Sequence, residues 1–175
     1  MTKPSYNVLF LCTGNSARSI MAECILNHEG SGRFRAYSAG SHPRGEVHPM
    51  ALETLRKAGH DVTGLRSKGW DEFAGPDAPS MDFIFTVCDS AAGEICPVWP
   101  GHPATAHWGI EDPAAVVTPG WEQARAFGTA YRYLARRITL FASLSLTNLS
   151  RAALAARLKA IGDEEGASQP LADAD

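Results

Sequence analysis

The chain has no run approaching the ~20 consecutive apolar residues that a membrane-spanning helix needs, which argues against a helical membrane protein. It also lacks an excess of basic charge. Its 16 Lys and Arg stand against 19 Asp and Glu, a net charge of −3. A binder of nucleic acid or of an anionic membrane is therefore not expected. Cysteines are few: Cys12, Cys24, Cys88 and Cys96 do not read as a secreted disulfide framework. In a reducing compartment, thiols of this kind are more often catalytic or metal-binding. The start, Met1-Thr-Lys-Pro-Ser5, runs into the first strand with no leader pattern, so a soluble cytoplasmic enzyme is expected. There is no internal repeat. His28, His42, His48, His60 and His102 lack metal-ligand spacing, and neither a metal site nor a cofactor is read from the chain.

The 175 residues, 45% of them apolar, suffice for one domain with a real core. Strands are expected at Asn7–Leu11, Phe34–Ser38 and Phe83–Val87, with a short one near Thr105–Trp108. Helices are expected at about Arg18–Glu29, His48–Ala58, Pro119–Phe141 and Ser150–Ile161. Thr118-Pro119 reads as an N-cap with proline at the first helical position. Strands alternating with helices predict an α/β fold: a small, doubly wound, four-stranded and mostly parallel sheet with helices on both faces. In such sheets the active site lies at the carboxyl ends of the strands. The catalytic domain is expected over residues 1–162. Residues 163–175 are acidic, small and without an apolar face, and a disordered tail is expected there.

The most informative stretch is Val8-Leu-Phe-Leu-Cys12-Thr13-Gly14-Asn15-Ser16-Ala17-Arg18-Ser19. An apolar strand ends on a cysteine, a short polar loop follows, and an arginine opens a helix. Loop amides and the helix start together make an anion site, and the Arg18 fork can hold two oxygens of a tetrahedral oxyanion. Cys12 inside that cradle reads as a nucleophile, with a thiol pKa expected to fall to ~3.5–7.5. Residues Thr13 to Ser19 are the expected substrate-binding set. Ser19 is placed to donate its hydroxyl to the Cys12 sulfur, and Asn15 to hold the loop in a left-handed conformation. The bland alternative is a strand-to-helix turn with a buried cysteine.

From about Val8 to Ile161 the chain resembles the low-molecular-weight tyrosine phosphatase family, and in particular its arsenate reductase branch. The resemblance rests on Cys12-Thr-Gly-Asn-Ser-Ala-Arg18-Ser19, Met21-Ala-Glu23, Tyr37-Ser-Ala-Gly40 and His107-Trp-Gly-Ile-Glu-Asp112-Pro113-Ala114. It implies Asp112 as the proton donor to the leaving oxygen. The bland reading of Asp112-Pro113 is a simple turn. The phosphatases usually carry an aromatic residue after Asp-Pro; here Ala114 and Ala115 follow, which suits a small inorganic oxyanion. Some reductases bind potassium beside the loop through an asparagine, a glutamate, a serine and an aspartate. Asn15, Glu23 and Ser38 match the first three, whereas Lys68 stands in place of the aspartate. Its ammonium is expected to substitute for the cation.

Two further thiols, Cys88 and Cys96, follow an apolar strand in Phe83-Ile-Phe-Thr-Val-Cys88-Asp-Ser-Ala-Ala-Gly-Glu-Ile-Cys96-Pro97. Reducing As(V) to As(III) takes two electrons, as does turning two thiols into a disulfide, whereas a phosphatase needs one cysteine. The resemblance assigns Cys88 and Cys96 as second and third thiols of a relay. It implies arsenate as substrate, a role in arsenic detoxification, and thioredoxin, or glutaredoxin with glutathione, as reductant. Three alternatives stay open: two structural cysteines, a zinc site from Cys88, Cys96, His102 and His107, and a phosphatase that ignores both thiols. A non-catalytic oxyanion or redox sensor is the reading from a different class. Cys24 reads as a core residue. Trp70, Trp99, Trp108 and Trp121 read as core or loop anchors, and Arg132, Arg136 and Arg137 as a solvated helix face.

Overall fold

The computed structural model describes residues 5–94, 99–118 and 120–168. Four parallel strands, β1 (Tyr6–Cys12), β2 (Phe34–Gly40), β3 (Phe83–Thr86) and β4 (Ala104–His107), form one sheet in the order β2-β1-β3-β4. β1 is central, pairing along its whole length with β2 and over Val8–Leu11 with β3. Among the described residues, five helices complete the fold: α1 (Arg18–Glu29), α2 (Pro49–Lys57), α3 (Asp89–Ala92), α4 (Trp121–Ala142) and α5 (Arg151–Gly162). None of the described helices is long and apolar enough to cross a membrane.

Side chains alternate across a strand, and β1 divides the core accordingly. Val8, Phe10 and Cys12 join one apolar cluster with α1, α2, α4 and α5. Leu9 and Leu11 join a smaller cluster on the other face with Ala39, Phe73, Met81 and Ile84. That second face is covered by the 3-10 turn Trp70–Phe73 and neighbouring loops rather than by a long helix. α1 buries Ile20, Met21, Ala22, Cys24, Ile25 and Leu26. It is wedged between the sheet and α4, which explains why its apolar residues do not form one stripe. Cys24 is a core residue, as expected, and burial pushes its thiol up to about 11. Trp108 stacks on Phe85 at 3.8 Å between ring centroids and donates its indole N–H to the Leu158 carbonyl at 2.9 Å.

Several boundaries and placements differ from expectation. His48, as expected, opens α2, its Nδ1 accepting the Met50 amide at 3.1 Å. α4 begins at Trp121 behind Gly120, whose φ of 95° favours glycine; Pro119 lies outside the described residues. Trp121 is 70% exposed and anchors no core. The short helix α3 falls between Cys88 and Cys96, where the sequence predicts no helix.

Arg137 overturns the reading of a solvated face. It is fully buried, and its guanidinium donates to the carbonyls of Tyr133, Gly162, Glu164 and Glu165 at 3.0–3.4 Å. The last carbonyls of α5 have no partners within their own helix, and a cation there also complements the helix dipole. Arg137 thereby fixes the chain leaving α5. The described part of the expected tail, 163–168, is docked: Ala167 bridges Ile110, and the Ser168 amide donates to the Gly109 carbonyl at 3.0 Å. Replacing Arg137 by methionine strands these buried carbonyls. A loss of roughly 2–4 kcal/mol is expected, read as a Tm lower by about 5–15 °C in thermal unfolding. A Tm within a degree or two of wild type would contradict this account.

Candidate active site

The loop from Cys12 to Arg18 joins the end of β1 to the start of α1. Its carbonyls are held from outside. The Thr13 carbonyl accepts from the His42 amide at 2.9 Å, Gly14 from Arg44 at 2.9 Å, and Ser16 from His48 at 2.8 Å. In a trans peptide the carbonyl and the following N–H point in opposite directions. The amides of Gly14, Asn15 and Ala17 therefore turn inward, and the Asn15 amide donates to Cys12 Sγ at 3.1 Å. Asn15 has the left-handed φ of 42° expected of it. Gly40 lets the end of β2 come close, since a Cβ there would lie 2.4 Å from the Thr13 carbonyl oxygen.

Behind the loop runs a fully buried polar chain. The Lys68 amide donates to Asn15 Oδ1 at 2.8 Å, which fixes which way the side-chain amide faces. Asn15 Nδ2 then donates to Ser19 Oγ at 2.8 Å and to Ser38 Oγ at 3.0 Å. Because Ser19 accepts from Asn15, its own proton is free to point at Cys12 Sγ, 2.8 Å away. Ser19 thus holds the position that the sequence predicts.

The acidity of Cys12 is a correction. Cys12 is 5% exposed, and burial, the largest influence, pushes its thiol up rather than down. The Ser19 hydroxyl, the Asn15 amide and Arg18 pull the other way, while nearby Cys88 adds to the rise. The sequence reading weighed the cradle's field and left out the cost of desolvating a thiolate.

A cavity of about 220 Å³ opens over the loop. Cys12 and Arg18 line it, as do His42, Arg44, Cys88 and Asp112. Arg18 donates to the Ile110 carbonyl at 2.9 Å and lies 3.6 Å from the Asp112 carboxylate. Asp112 caps the 3-10 turn Pro113–Ala115 by accepting the Ala114 amide at 3.0 Å. Cys88 is 2% exposed, follows β3, and accepts the Ala91 amide at 3.4 Å as the N-cap of α3. Cys12 and Cys88, far apart in sequence, therefore share one pocket, both as free thiols. Cys96 lies outside the described residues. His107, weighed above as a zinc ligand, has both ring nitrogens engaged, with Thr86 Oγ1 at 2.7 Å and Asp89 Oδ1 at 2.8 Å.

The sequence reading missed His42 and Arg44 as pocket walls. The available signal was Gly40, which brings the loop after β2 onto the carbonyls of the cysteine loop.

A buried thiol ringed by loop amides and faced by an arginine, at the carboxyl edge of a parallel sheet, defines the class of thiol-based oxyanion sites. The chain belongs to the low molecular weight phosphotyrosine protein phosphatase family, which residues 7–140 match. It is 35% identical over 135 residues to an arsenate reductase of Shouchella clausii, an alignment spanning 77% of this chain and 94% of that protein. A solved arsenate reductase in its oxidised state is 25% identical, with a TM-score of 0.64 over 78% of this chain and 96% of the other. The thioredoxin-dependent arsenate reductase Cg_ArsC1' of Corynebacterium glutamicum shares the fold at 24% identity and a TM-score of 0.52, covering 81% of this chain and 65% of that one.

Lys68 sits where the sequence argument puts it. Its ammonium is 3.2 Å from Ser38 Oγ, 3.0 Å from the Arg66 carbonyl and 3.6 Å from Glu23 Oε2. Burial lowers the Lys68 pKa and raises that of Glu23, and each charge offsets the other's shift. Exchanging sodium for potassium should leave the Tm of the wild-type protein unchanged. Lys68→Ala should be stabilised selectively by potassium. Selective stabilisation of the wild type by potassium would refute the substitution of ammonium for metal.

Proposed function

We propose that this protein reduces arsenate to arsenite. The observation that carries the reading is the meeting of two free thiols, Cys12 and Cys88, in one oxyanion-sized pocket. Arg18 and the inward amides of the loop hold the arsenate oxygens. Cys12 attacks arsenic, and Asp112, beside Arg18 at the cavity wall, protonates the leaving oxygen. Cys88 then attacks the Cys12 sulfur of the adduct. The S–S bond forms, the S–As bond breaks, and the electron pair stays on arsenic as arsenite departs. Cys96 attacks the Cys12–Cys88 disulfide, frees Cys12, and leaves a Cys88–Cys96 disulfide for an external dithiol.

The reductant that suits a protein disulfide is thioredoxin, in line with the thioredoxin dependence of the Corynebacterium protein that shares this fold. Glutaredoxin with glutathione is the competing supply. A site built on free thiols works in a reducing compartment, and a cytoplasmic location follows from that chemistry.

The same Cys12, Arg18 and Asp112 would also suffice to hydrolyse a phosphate ester, which keeps a phosphatase as the second reading. Cys88→Ser separates the two. It should abolish arsenate turnover with thioredoxin, thioredoxin reductase and NADPH, while hydrolysis of a small aryl phosphate persists. Undiminished arsenate reduction by Cys88→Ser would refute the relay.

A further inference from the structure

Thr13 bridges the cysteine loop and the segment that follows β3. Its hydroxyl lies 3.7 Å from Cys88 Sγ and donates to Glu94 Oε1 at 3.0 Å. A threonine hydroxyl has one proton and two lone pairs. With that proton directed at Glu94, the contact with Cys88 runs from the thiol S–H to Thr13 Oγ1. The other carboxylate oxygen, Glu94 Oε2, is buried and has no hydrogen-bond partner among the described residues. A carboxylate oxygen shut away from water without a donor is costly. Thiol, hydroxyl and carboxylate thus form a directed line with a proton source at one end and an under-satisfied acceptor at the other.

We propose that Glu94 receives the Cys88 proton through Thr13 Oγ1 and so generates the thiolate needed for the second step of the relay. The proposal rests on the arsenate-reducing reading above. As the Cys88 S–H bond breaks, its proton passes to Thr13 Oγ1, and the Thr13 proton passes to Glu94 Oε1. The Cys88 thiolate then forms the S–S bond with Cys12, and the S–As bond breaks with its electron pair left on arsenic. Two sulfurs are oxidised to the disulfide level, and As(V) becomes As(III). No further reactant is consumed at this step. Glu94 acts on Cys88 through Thr13 and is a positioning residue with a proton to accept.

The charged and titratable groups facing this line are Cys12 at the floor of the cavity and Arg18, His42, Arg44 and Asp112 in its walls. Asp89, at the start of α3, is engaged by His107 Nε2 at 2.8 Å and Ser168 Oγ at 2.9 Å. Glu94 is therefore the carboxylate that is linked to Cys88 through a single hydroxyl.

The test is single-turnover formation of the Cys12–Cys88 disulfide by the fully reduced full-length protein, followed by acid quench and peptide mapping across the neutral pH range. Glu94→Gln keeps an acceptor for Thr13 and removes the basic group. It should slow disulfide formation by at least about tenfold at neutral pH, with a pH profile displaced upward. Thr13→Ser should retain the wild-type profile, and Thr13→Val should behave like Glu94→Gln. A Glu94→Gln protein with the wild-type rate and profile would overturn the proposal and leave Glu94 as a mere anchor for Thr13. If the wild-type protein consumes no arsenate, the functional reading itself fails. The pH dependence of Cys88 alkylation by iodoacetamide then decides separately, with Cys12 alkylation in the same sample reporting an intact pocket. A Cys88 alkylation profile displaced upward by Glu94→Gln supports the proton acceptor, and an unchanged one overturns it.

Discussion

The loop between β1 and α1 works because its carbonyls are tied to the outside. Three outward hydrogen bonds, from the amides of His42, Arg44 and His48, turn the N–H groups of Gly14, Asn15 and Ala17 inward, and that of Asn15 donates to Cys12 Sγ. A backbone with this many inward amides would be expensive alone, since each buried polar group needs a partner. The cost falls when the sulfur and an anion supply acceptors. Asn15 in the left-handed region and the bare Cα of Gly40 are the local concessions that let the turn close. The chain from Lys68 through Asn15 to Ser19 then aims a hydroxyl proton at the sulfur.

Burial is the second constraint, and it acts against the first. Cys12 and Cys88 are almost wholly shielded from water; at Cys12 burial pushes the thiol up, and at both positions it keeps the sulfur away from casual oxidants. The pocket therefore has to supply proton acceptors and hydrogen-bond donors locally. Ser19 and the Asn15 amide serve Cys12, while the Ala91 amide and the Thr13 hydroxyl serve Cys88. α3, which begins beside Cys88, is a single turn with one buried residue, Ala91. Elements with so little buried surface sit at the low end of local stability, which suits the exchange of partners proposed for the Cys88 sulfur.

The parallel sheet, its strands and the span of α1 were legible because periodicity and the Cys12-to-Arg18 spacing are local signals. So was the placement of Lys68 beside Glu23 and Ser38, because the substitution of one charge for another stands out in a known pattern. Arg137 was not legible. Leu134 and Phe141, three and four residues away, share its buried face of α4, yet an arginine there would ordinarily reach out to solvent, and only the tertiary arrival of the α5 carbonyls makes a buried guanidinium favourable. Arg44 and Glu94 were missed for the same reason, since each meets the cysteine loop from a segment distant in sequence. The rise in the Cys12 pKa was missed because burial is a property of the packed chain, whereas the attractive part of its surroundings is written in consecutive residues.

Intact-mass and peptide mass spectrometry of the fully reduced protein after arsenate, with no external reductant, tests the relay most directly. The account predicts a loss of two hydrogens and a Cys88–Cys96 crosslink, with Cys12 returned to the thiol. An unchanged mass, with every cysteine still free to alkylate, would contradict it.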